Sequence, residues 1–213
     1  MENDTGWSVK KCIDIFGEFL LVSIHCILYA RRLYPQDLFI KARKYNTIVW
    51  QSRHPILCEY IEEVVQSCIE ELQTGSVHQV ALSIINKEQR EEERYVFSTD
   101  SIPIIPDFLL EKQISTNEPF TDAYVEYMRA SLIQLLNITN GLPLIEQECT
   151  WTLRVTLKDG FPRPKQWEEW FLPPQARETD ATRQFKGITI PVRNVDIGPM
   201  MTEIWVEKYT NSD

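Results

Sequence analysis

The stretch "ILYARRLYPQDLFIKARKYN", Ile27 to Asn46, contains the end of the longest apolar pattern in the chain. From Val9 to Leu33, apolar residues recur every three or four positions, which predicts a long helix. The middle of this helix is apolar nearly all round, so we expect it to lie centrally in the core. We expect Tyr34-Pro35 to end it, because the residue before a proline is pushed out of the α region.

The same stretch holds the one basic concentration of an acidic chain, which has 213 residues and a formal net charge of −9. A surface that neutralises phosphates needs clustered Lys and Arg, so this composition argues against direct DNA binding. The cations between Ala30 and Asn46 are compatible with a phosphate contact, but cations near a helix C-terminus also satisfy its free carbonyls. We therefore expect a structural or protein-contact role for them, and DNA contact only through a partner.

Two further helices are predicted. The second begins at His54-Pro55, because the missing N–H of proline costs nothing at the first helical position, and it ends at Gly75. Its other face is rich in glutamate, which indicates a solvated side rather than a metal site. The third helix is predicted from Thr121 to Ile138, with Gly141 just past its end.

Three segments have the pattern of β-strands. "VHQVALSIIN" and "RYVFS" flank the charged sequence "KEQREEE", which predicts a hairpin with a solvated turn. The carboxylates of "EEER" are expected at this turn, where no sheltered cleft would shift the pKa of a general acid. In "TWTLRVTLK", from Thr150, apolar and polar residues alternate, which is the clearest strand pattern in the chain.

The last 55 residues, Asp159 to Asp213, show no helical periodicity and contain six of the twelve prolines and three of the six tryptophans. "KQWEEWFLPPQ", Lys165 to Gln175, lies here, and short strand-like pieces follow at "GITIPV" and "TEIWVE". An irregular segment of this length is commonly either disordered or a binding loop, and its aromatic content favours a binding loop.

Sequence motifs of enzymes are absent: the chain has no GxSxG, GxGxxG, GK[ST], HExxH or CxxC. His54 and Cys58 are four positions apart on the predicted second helix, but a zinc site needs at least three protein ligands. The five cysteines are scattered and the N-terminus has no apolar signal segment, so we expect a reducing, intracellular setting and no membrane contact. These observations favour a non-enzymatic protein without metal or cofactor.

Several of these motifs together resemble the HORMA domain family. "ILYARRLYPQDLFIKARKYN" is similar to the signature at the end of the first HORMA helix, and the similarity continues through "HPILCEYI", "RASLIQLL", "IPVRNV" and "IWVE". The resemblance implies an α+β fold, with three main helices packed on a mostly antiparallel sheet. It also implies a single domain over residues 1–213, with a core over about 8–158 and a C-terminal safety belt over about 159–213 that wraps a ligand peptide.

Within the family, the chain resembles the HORMA subunit of the translesion DNA polymerase zeta in its "NKEQR" hairpin tip and in "YVF", while "KQWEEW" partly resembles the checkpoint member. This resemblance implies that the belt clamps a proline-containing peptide of the polymerase catalytic subunit. Tyr60 and Trp170 match residues that contact this peptide, and Tyr34 is expected to line the same groove.

A second partner is implied by the same resemblance. Thr189, Glu203 and Trp205 match the surface that docks the C-terminal domain of the translesion deoxycytidyl transferase. The apolar, amide and tyrosine residues of the family are replaced here by Thr, Glu and Trp, so we expect a retuned surface.

A HORMA homodimer or heterodimer is also implied. Lys41 and Arg129 match basic residues of the family's dimer surface, whereas Arg32 stands where the subfamily has an acidic residue. Because one charge of a self-complementary patch is reversed here, we expect weakened or altered dimerisation.

Three hypotheses follow. The first is an adaptor that bridges the two polymerases in mutagenic translesion synthesis, with the nucleus as the expected location and the cytoplasm as the alternative. The second is a HORMA regulator of the spindle checkpoint, the cell cycle or DNA-end protection that clamps other peptides in the same way. The third is a small enzyme that uses the acidic clusters or His54 and Cys58, against which the missing catalytic constellation counts.

Overall fold

The computed structural model describes residues 8–102, 106–112, 123–161, 187–197 and 200–209. The helices in these ranges are α1 (Val9–Ala30), α2 (Pro55–Gln73), the short α3 (Asp107–Leu110) and α4 (Ala123–Gly141). The strands are β1 (Phe39–Lys44), β2 (Thr47–Ser52), β3 (Val77–Asn86), β4 (Glu91–Ser98), β5 (Cys149–Leu157), β6 (Gly187–Ile197) and β7 (Met200–Tyr209).

Helix α1 lies in the centre of the molecule, as the sequence predicts. The ring of Phe19 lies 6.3 Å from that of Phe97 on β4 and 6.2 Å from that of Tyr45 at the β1–β2 turn, measured between centroids. The helix therefore packs between the large sheet and the β1–β2 hairpin. By length and composition alone α1 could cross a membrane, but 78% of its most apolar window is buried inside the protein.

The end of α1 differs from the prediction. The helix ends at Ala30, four residues before Tyr34, and the backbone N–H of Leu33 donates to the carbonyl of Leu28 at 3.2 Å. Arg32 adopts a left-handed conformation with φ of 55°. This is the Schellman arrangement, in which a left-handed residue closes the last turn. The hydrogen bonds of the last turn, not the proline, end the helix.

The β1–β2 hairpin was not predicted from the sequence. Its two turn residues, Tyr45 and Asn46, have φ of 48° and 53°, as a type I′ turn requires. The usual signal for such a turn is glycine next to asparagine or aspartate, which is missing here. Three cations among the six residues of β1 also obscure the alternation of a strand.

The large sheet has five antiparallel strands in the order β5-β3-β4-β7-β6. The predicted strand segments are confirmed, including the two strand-like pieces of the C-terminal segment, which form β6 and β7. In the middle of the sheet Leu82 stands opposite Tyr95 on β4 and Leu153 on β5, and all three are buried. These side chains face the helices and form the core.

Helices α2 and α4 pack around α1. His54 caps α2, since its Nδ1 accepts from the Leu57 N–H at 3.4 Å, which confirms the predicted helix start. Gly17 of α1 lies against Ile69 of α2, where a side chain on the glycine would clash. Helix α4 ends at Gly141, three residues later than predicted, and it packs against α1 and β6.

The prediction that the glutamates are solvated is wrong at three positions. Glu92 and Glu93 are buried on β4 and are not part of the turn, and Glu71 is buried at the end of α2. Each has polar partners: the Ser76 hydroxyl donates to Glu71 at 2.6 Å, and Arg31 lies 2.7 Å from Glu93. A buried carboxylate is tolerated where hydrogen bonds or an opposite charge replace its water.

Candidate functional site

Strand β5 is an edge of the large sheet, because among the described residues it pairs only with β3. An edge strand offers N–H and C=O groups that can pair with another chain. Beside this edge the indole N–H of Trp151 donates to the hydroxyl of Tyr34 at 3.0 Å. The ring of Tyr60 on α2 meets the same indole edge to face, with centroids 5.4 Å apart. Two residues predicted to contact a peptide thus meet at one tryptophan.

This aromatic cluster, Tyr34, Tyr60 and Trp151, is partly open to solvent. Tyr60 is 42% exposed, and Ile56, one helical turn earlier, is 72% exposed. Burial, followed by the nearby Tyr34, raises the pKa of Tyr60, so its phenol stays protonated at neutral pH. The β5 edge therefore has an apolar surface with a neutral hydrogen-bonding group beside it.

Sequence reasoning missed the role of Trp151, which it interpreted only as one of the alternating strand residues. The signal lay in its position, a large aromatic near the start of a strand. Its contact with Tyr34 spans 117 residues of sequence, and no local pattern reports such a distant contact.

The chain leaves the large sheet at one edge and returns at the other. Strand β5 ends at Leu157 on the first edge, and the next described strand, β6, begins at Gly187 on the opposite edge. Trp170 and the rest of "KQWEEWFLPPQ" lie outside the described residues. The returning pair β6–β7 joins the sheet through β7 and β4.

A buried charge network fastens β7 to the core. The carboxylate of Glu93 on β4 accepts from Arg31 at 2.7 Å, from the Tyr95 hydroxyl at 2.9 Å and from Lys208 of β7 at 3.2 Å. Arg31 also donates to carbonyls at the end of α4, including that of Thr139 at 3.1 Å. Burial, followed by the charge of Glu93, raises the pKa of Tyr95 well above its usual value. The network thus links α1, α4, β4 and the returning strand.

The three residues predicted to contact a second partner lie on β6 and β7. Thr189 on β6 stands opposite Glu207 on β7. The side chains of Glu203, Trp205 and Glu207 point to the same face of β7, because they are two residues apart. Thr189 and Glu203 are exposed, and the half-buried Trp205 donates its indole N–H to Glu207 at 2.8 Å. The three positions therefore share one face of the returning strands.

The three predicted dimer residues have different surroundings. Arg129 on α4 pairs with Glu126 and lines a depression with Arg193 of β6. Lys41 on β1 lies with its Nζ 5.5 Å from the centre of the Trp50 ring. Arg32 lines a separate depression that also contains Tyr34.

The two residues considered as metal ligands have structural contacts. The His54 ring caps α2, and the Cys58 thiol donates to the Ser52 carbonyl at 3.0 Å. Burial is the main reason why the pKa of Cys58 is raised. A raised pKa disfavours the thiolate that a metal would need. Within the described part of the chain, no three His, Cys, Asp or Glu side chains are grouped to hold a metal ion.

The sequences of several named proteins align with most of this chain. The MAD2B mitotic spindle assembly checkpoint protein of Bos taurus is 39% identical over 151 residues, which cover 70% of this chain and 67% of that protein. The MAD2B protein of Homo sapiens is 38% identical over 151 residues, with the same coverage. The MAD2A mitotic spindle assembly checkpoint protein of Mus musculus is 26% identical over 170 residues, 79% of this chain and 80% of that protein.

Solved structures share the fold. A chain in the crystal structure of the mitotic checkpoint complex superposes with a TM-score of 0.72 at 18% identity, covering 94% of this chain and 99% of that chain. HTP-2 of C. elegans, bound to a HIM-3 closure motif, superposes with a TM-score of 0.71 at 10% identity, covering 96% of this chain and 92% of that chain. These likenesses confirm the predicted α+β fold. Because the HORMA domain profile also matches residues 13–204, the chain belongs to the HORMA domain family.

Proposed function

We propose that this protein is a non-catalytic adaptor that closes a C-terminal belt over an extended peptide at the free edge of β5. The observation that carries this proposal is the position of the aromatic cluster beside a strand edge that no other described strand pairs with. A peptide strand added there gains main-chain hydrogen bonds, and its side chains reach Tyr60 and Trp151. HTP-2, which has the same fold and was solved with a closure motif, supports a peptide as the ligand.

The peptide is proposed to come from the catalytic subunit of DNA polymerase zeta. The resemblance of "HPILCEYI" and "NKEQR" to the HORMA subunit of that polymerase supports this choice. The face of Thr189, Glu203 and Trp205 would then dock the translesion deoxycytidyl transferase. The adaptor would join two polymerases at a DNA lesion in the nucleus and would contact DNA only through them.

Slow release of the peptide follows from this arrangement. To open, the belt has to unpair β7 from β4 and withdraw Lys208 from the buried Glu93. Affinity among related complexes is set mainly by the dissociation rate, so a belt that must unpair first gives a long-lived complex.

The proposal is tested by coexpressing the chain with the proline-containing segment of the polymerase zeta catalytic subunit and measuring dissociation. We expect a slowly dissociating complex, with release faster by about tenfold or more in Tyr60→Ala and in Trp170→Ala, because buried aromatic anchors dominate such interfaces. Tyr127→Ala is the matched control, since Tyr127 on α4 has the same 42% exposure as Tyr60. The proposal fails if no complex forms, or if Tyr60→Ala releases the peptide no faster than Tyr127→Ala.

A HORMA regulator of the spindle checkpoint or of DNA-end protection is the second candidate. It is favoured by the similarity to MAD2A and to a chain of the mitotic checkpoint complex. Competition between polymerase-derived and checkpoint-derived peptides for the same chain separates the two candidates. Preference for the checkpoint peptide would favour the regulator.

A further inference from the structure

The β1–β2 hairpin has a charge pattern that the proposed function does not use. Residues 38–58 contain four cations and no carboxylate, in a chain whose net charge is −9. The hairpin lies on the other side of α1 from the large sheet, because α1 contacts Phe97 of the sheet and Tyr45 of the hairpin. A ligand of this hairpin would therefore be separate from a peptide at the β5 edge.

One edge of the hairpin is occupied by α1. The Ser52 N–H donates to the His25 ring at 3.3 Å, and the Trp50 carbonyl accepts from the Cys26 thiol at 3.8 Å. Because backbone groups alternate in direction along a strand, these contacts show that Trp50 and Ser52 point their N–H and C=O groups away from β1. The β2 edge is therefore not available to a further strand.

The other edge, on β1, is open among the described residues. The N–H of Arg53 donates to the carbonyl of Leu38 at 2.8 Å, so the carbonyl of Leu38 points toward the β2 side. Because this direction alternates along a strand, the N–H and C=O groups of Phe39, Lys41 and Arg43 point away from β2. No backbone hydrogen bond from another described element reaches Lys41 or Arg43. An unpaired edge of this kind is a template for strand addition.

The side chains at this open edge are basic, with apolar neighbours across the hairpin. Lys41 stands opposite Trp50, and Arg43 stands opposite Ile48, which is 62% exposed. Both cations are exposed, and no carboxylate of the described residues lies within 4.0 Å of either, whereas Lys44 pairs with Glu18. The β1 edge therefore presents two cations that have no carboxylate partner among the described residues.

We propose that the β1 edge binds an extended acidic peptide segment of a partner protein as a third strand. The peptide backbone pairs with the free groups of Lys41 and Arg43. Carboxylates on one side of the peptide meet the two cations, and the apolar residues between them face the other side of the sheet, where Ile40 of β1 is 47% exposed. Charge complementarity selects the occupant, because the cations oppose a basic strand and accept an acidic one.

Two other occupants fit this edge less well. A second copy of the chain paired edge to edge would oppose Lys41 and Arg43 with the same cations, and like charges directly opposite each other destabilise a sheet. A nucleic acid would be repelled by the net charge of −9, and the edge offers it only a few cations.

The test uses a synthetic N-acetylated peptide of about eight residues, the length of an ordinary strand, in which glutamate alternates with valine. Calorimetric titration is expected to show binding that weakens by about tenfold or more in Lys41→Glu/Arg43→Glu. The matched control, Lys87→Glu/Arg90→Glu, makes the same charge change at the exposed β3–β4 turn and is expected to alter affinity by less than about twofold. N-methylation of the peptide residues that face β1 should abolish binding, since it removes their donors.

Four outcomes would overturn the proposal: no binding by the wild type, an equal loss in both charge-reversal variants, retention of binding by the N-methylated peptide, or tighter binding of a single-stranded oligonucleotide. A fifth outcome, self-association that Lys41→Glu/Arg43→Glu removes, would also overturn it, because it would assign the edge to a second copy. Thermal unfolding checks that the reversal variant is folded. If it is not, Lys41→Gln/Arg43→Gln replaces it, with the same expected direction.

Discussion

Arg31 and Arg32 have the same side chain but very different environments. Arg31 is 3% exposed and donates to the carbonyl of Thr139 in the last turn of α4 and to that of Pro143 just after the helix. Arg32 is exposed and holds a left-handed backbone at the end of α1. Arg31 therefore has a structural role, as expected, but the carbonyls that it contacts lie in α4 and just after it and not at the end of α1 as predicted.

Arg32→Gly is expected to stabilise the protein. Its φ of 55° costs an L-residue about 1 kcal/mol, which glycine avoids, and the gain is partly offset by the greater entropy of glycine in the unfolded chain. Urea unfolding should show a rise in the free energy of unfolding of up to about 1 kcal/mol. Arg53→Gly, at an exposed arginine with ordinary φ, should lower it. A fall in both variants would mean that the conformation of Arg32 carries no strain.

His25 predicts a pH dependence. It is buried, its Nδ1 accepts from the Ser52 N–H, and burial lowers its pKa to about 4. An unfolded histidine has a pKa of about 6.5, so this contribution to stability is complete above that pH and is lost as the pH falls toward 4. The slope in this window is about 1.4 kcal/mol per pH unit.

The measurement compares urea unfolding of the wild type and His25→Asn between neutral pH and about pH 4.5. Asparagine keeps a hydrogen-bond acceptor but does not titrate in this window. We expect the stability advantage of the wild type to shrink by about 2 kcal/mol on acidification. A constant difference between the two proteins would contradict a depressed pKa at His25.

The candidate site was only partly predictable at this scale. Tyr34 and Tyr60 were predicted from the resemblance to the HORMA family, and the structure brings them together at Trp151. Trp151 and Glu93 acquire their partners from elements far away in sequence, so the sequence pattern identified Trp151 only as a strand residue and placed Glu93 at a solvated turn. A local sequence pattern contains no information on contacts between residues that are distant in sequence.

At the scale of elements, the α1–α2 contact depends on Gly17. A Cβ at this position would lie 2.7 Å from Cγ1 of Ile69, closer than packed carbons approach. Gly17→Ala should therefore destabilise the protein by about 1 kcal/mol or more, since overpacking exceeds the gain in helix propensity. Gly141→Ala, where nothing lies within 4 Å of the new Cβ, is the control and should be neutral or stabilising. Equal effects in thermal unfolding would exclude a tight contact between the helices.

The attachment of β7 to β4 depends on Glu93. Glu93→Gln leaves Arg31 buried without its counter-charge, so we expect a loss of about 3 kcal/mol or more in urea unfolding. Lys208→Met removes a contact of a side chain that is 20% exposed and should cost about 1 kcal/mol or less. If Lys208→Met lowered the free energy of unfolding as much as Glu93→Gln does, Glu93 would not be the more important of the two residues.

Elements with a clean period were predictable, and the others were not. The alternation in "TWTLRVTLK" and the apolar stripes of α1, α2 and α4 gave the correct elements. The β1–β2 hairpin was missed because exposed cations occupy alternate positions of β1 and because left-handed Tyr45 and Asn46 make its turn without glycine. Its conformation is maintained by contacts with α1, which a local pattern does not contain.

At the scale of the whole molecule, α1 separates two sheets, each with an open edge among the described residues. The β5 edge lies beside an aromatic cluster, and the β1 edge is basic. Two extended ligands of different chemistry could thus bind one domain without competing. This separation fits the proposed adaptor role.

The central claim is that a peptide pairs with the β5 edge, and amide hydrogen exchange tests it most directly. The chain purified with the polymerase zeta segment is compared with the chain alone, because new main-chain hydrogen bonds slow exchange locally. We predict slower exchange in Cys149–Leu157 and no change in Phe39–Lys44. Unchanged exchange in Cys149–Leu157, in a complex that protects other parts of the chain, would contradict the account.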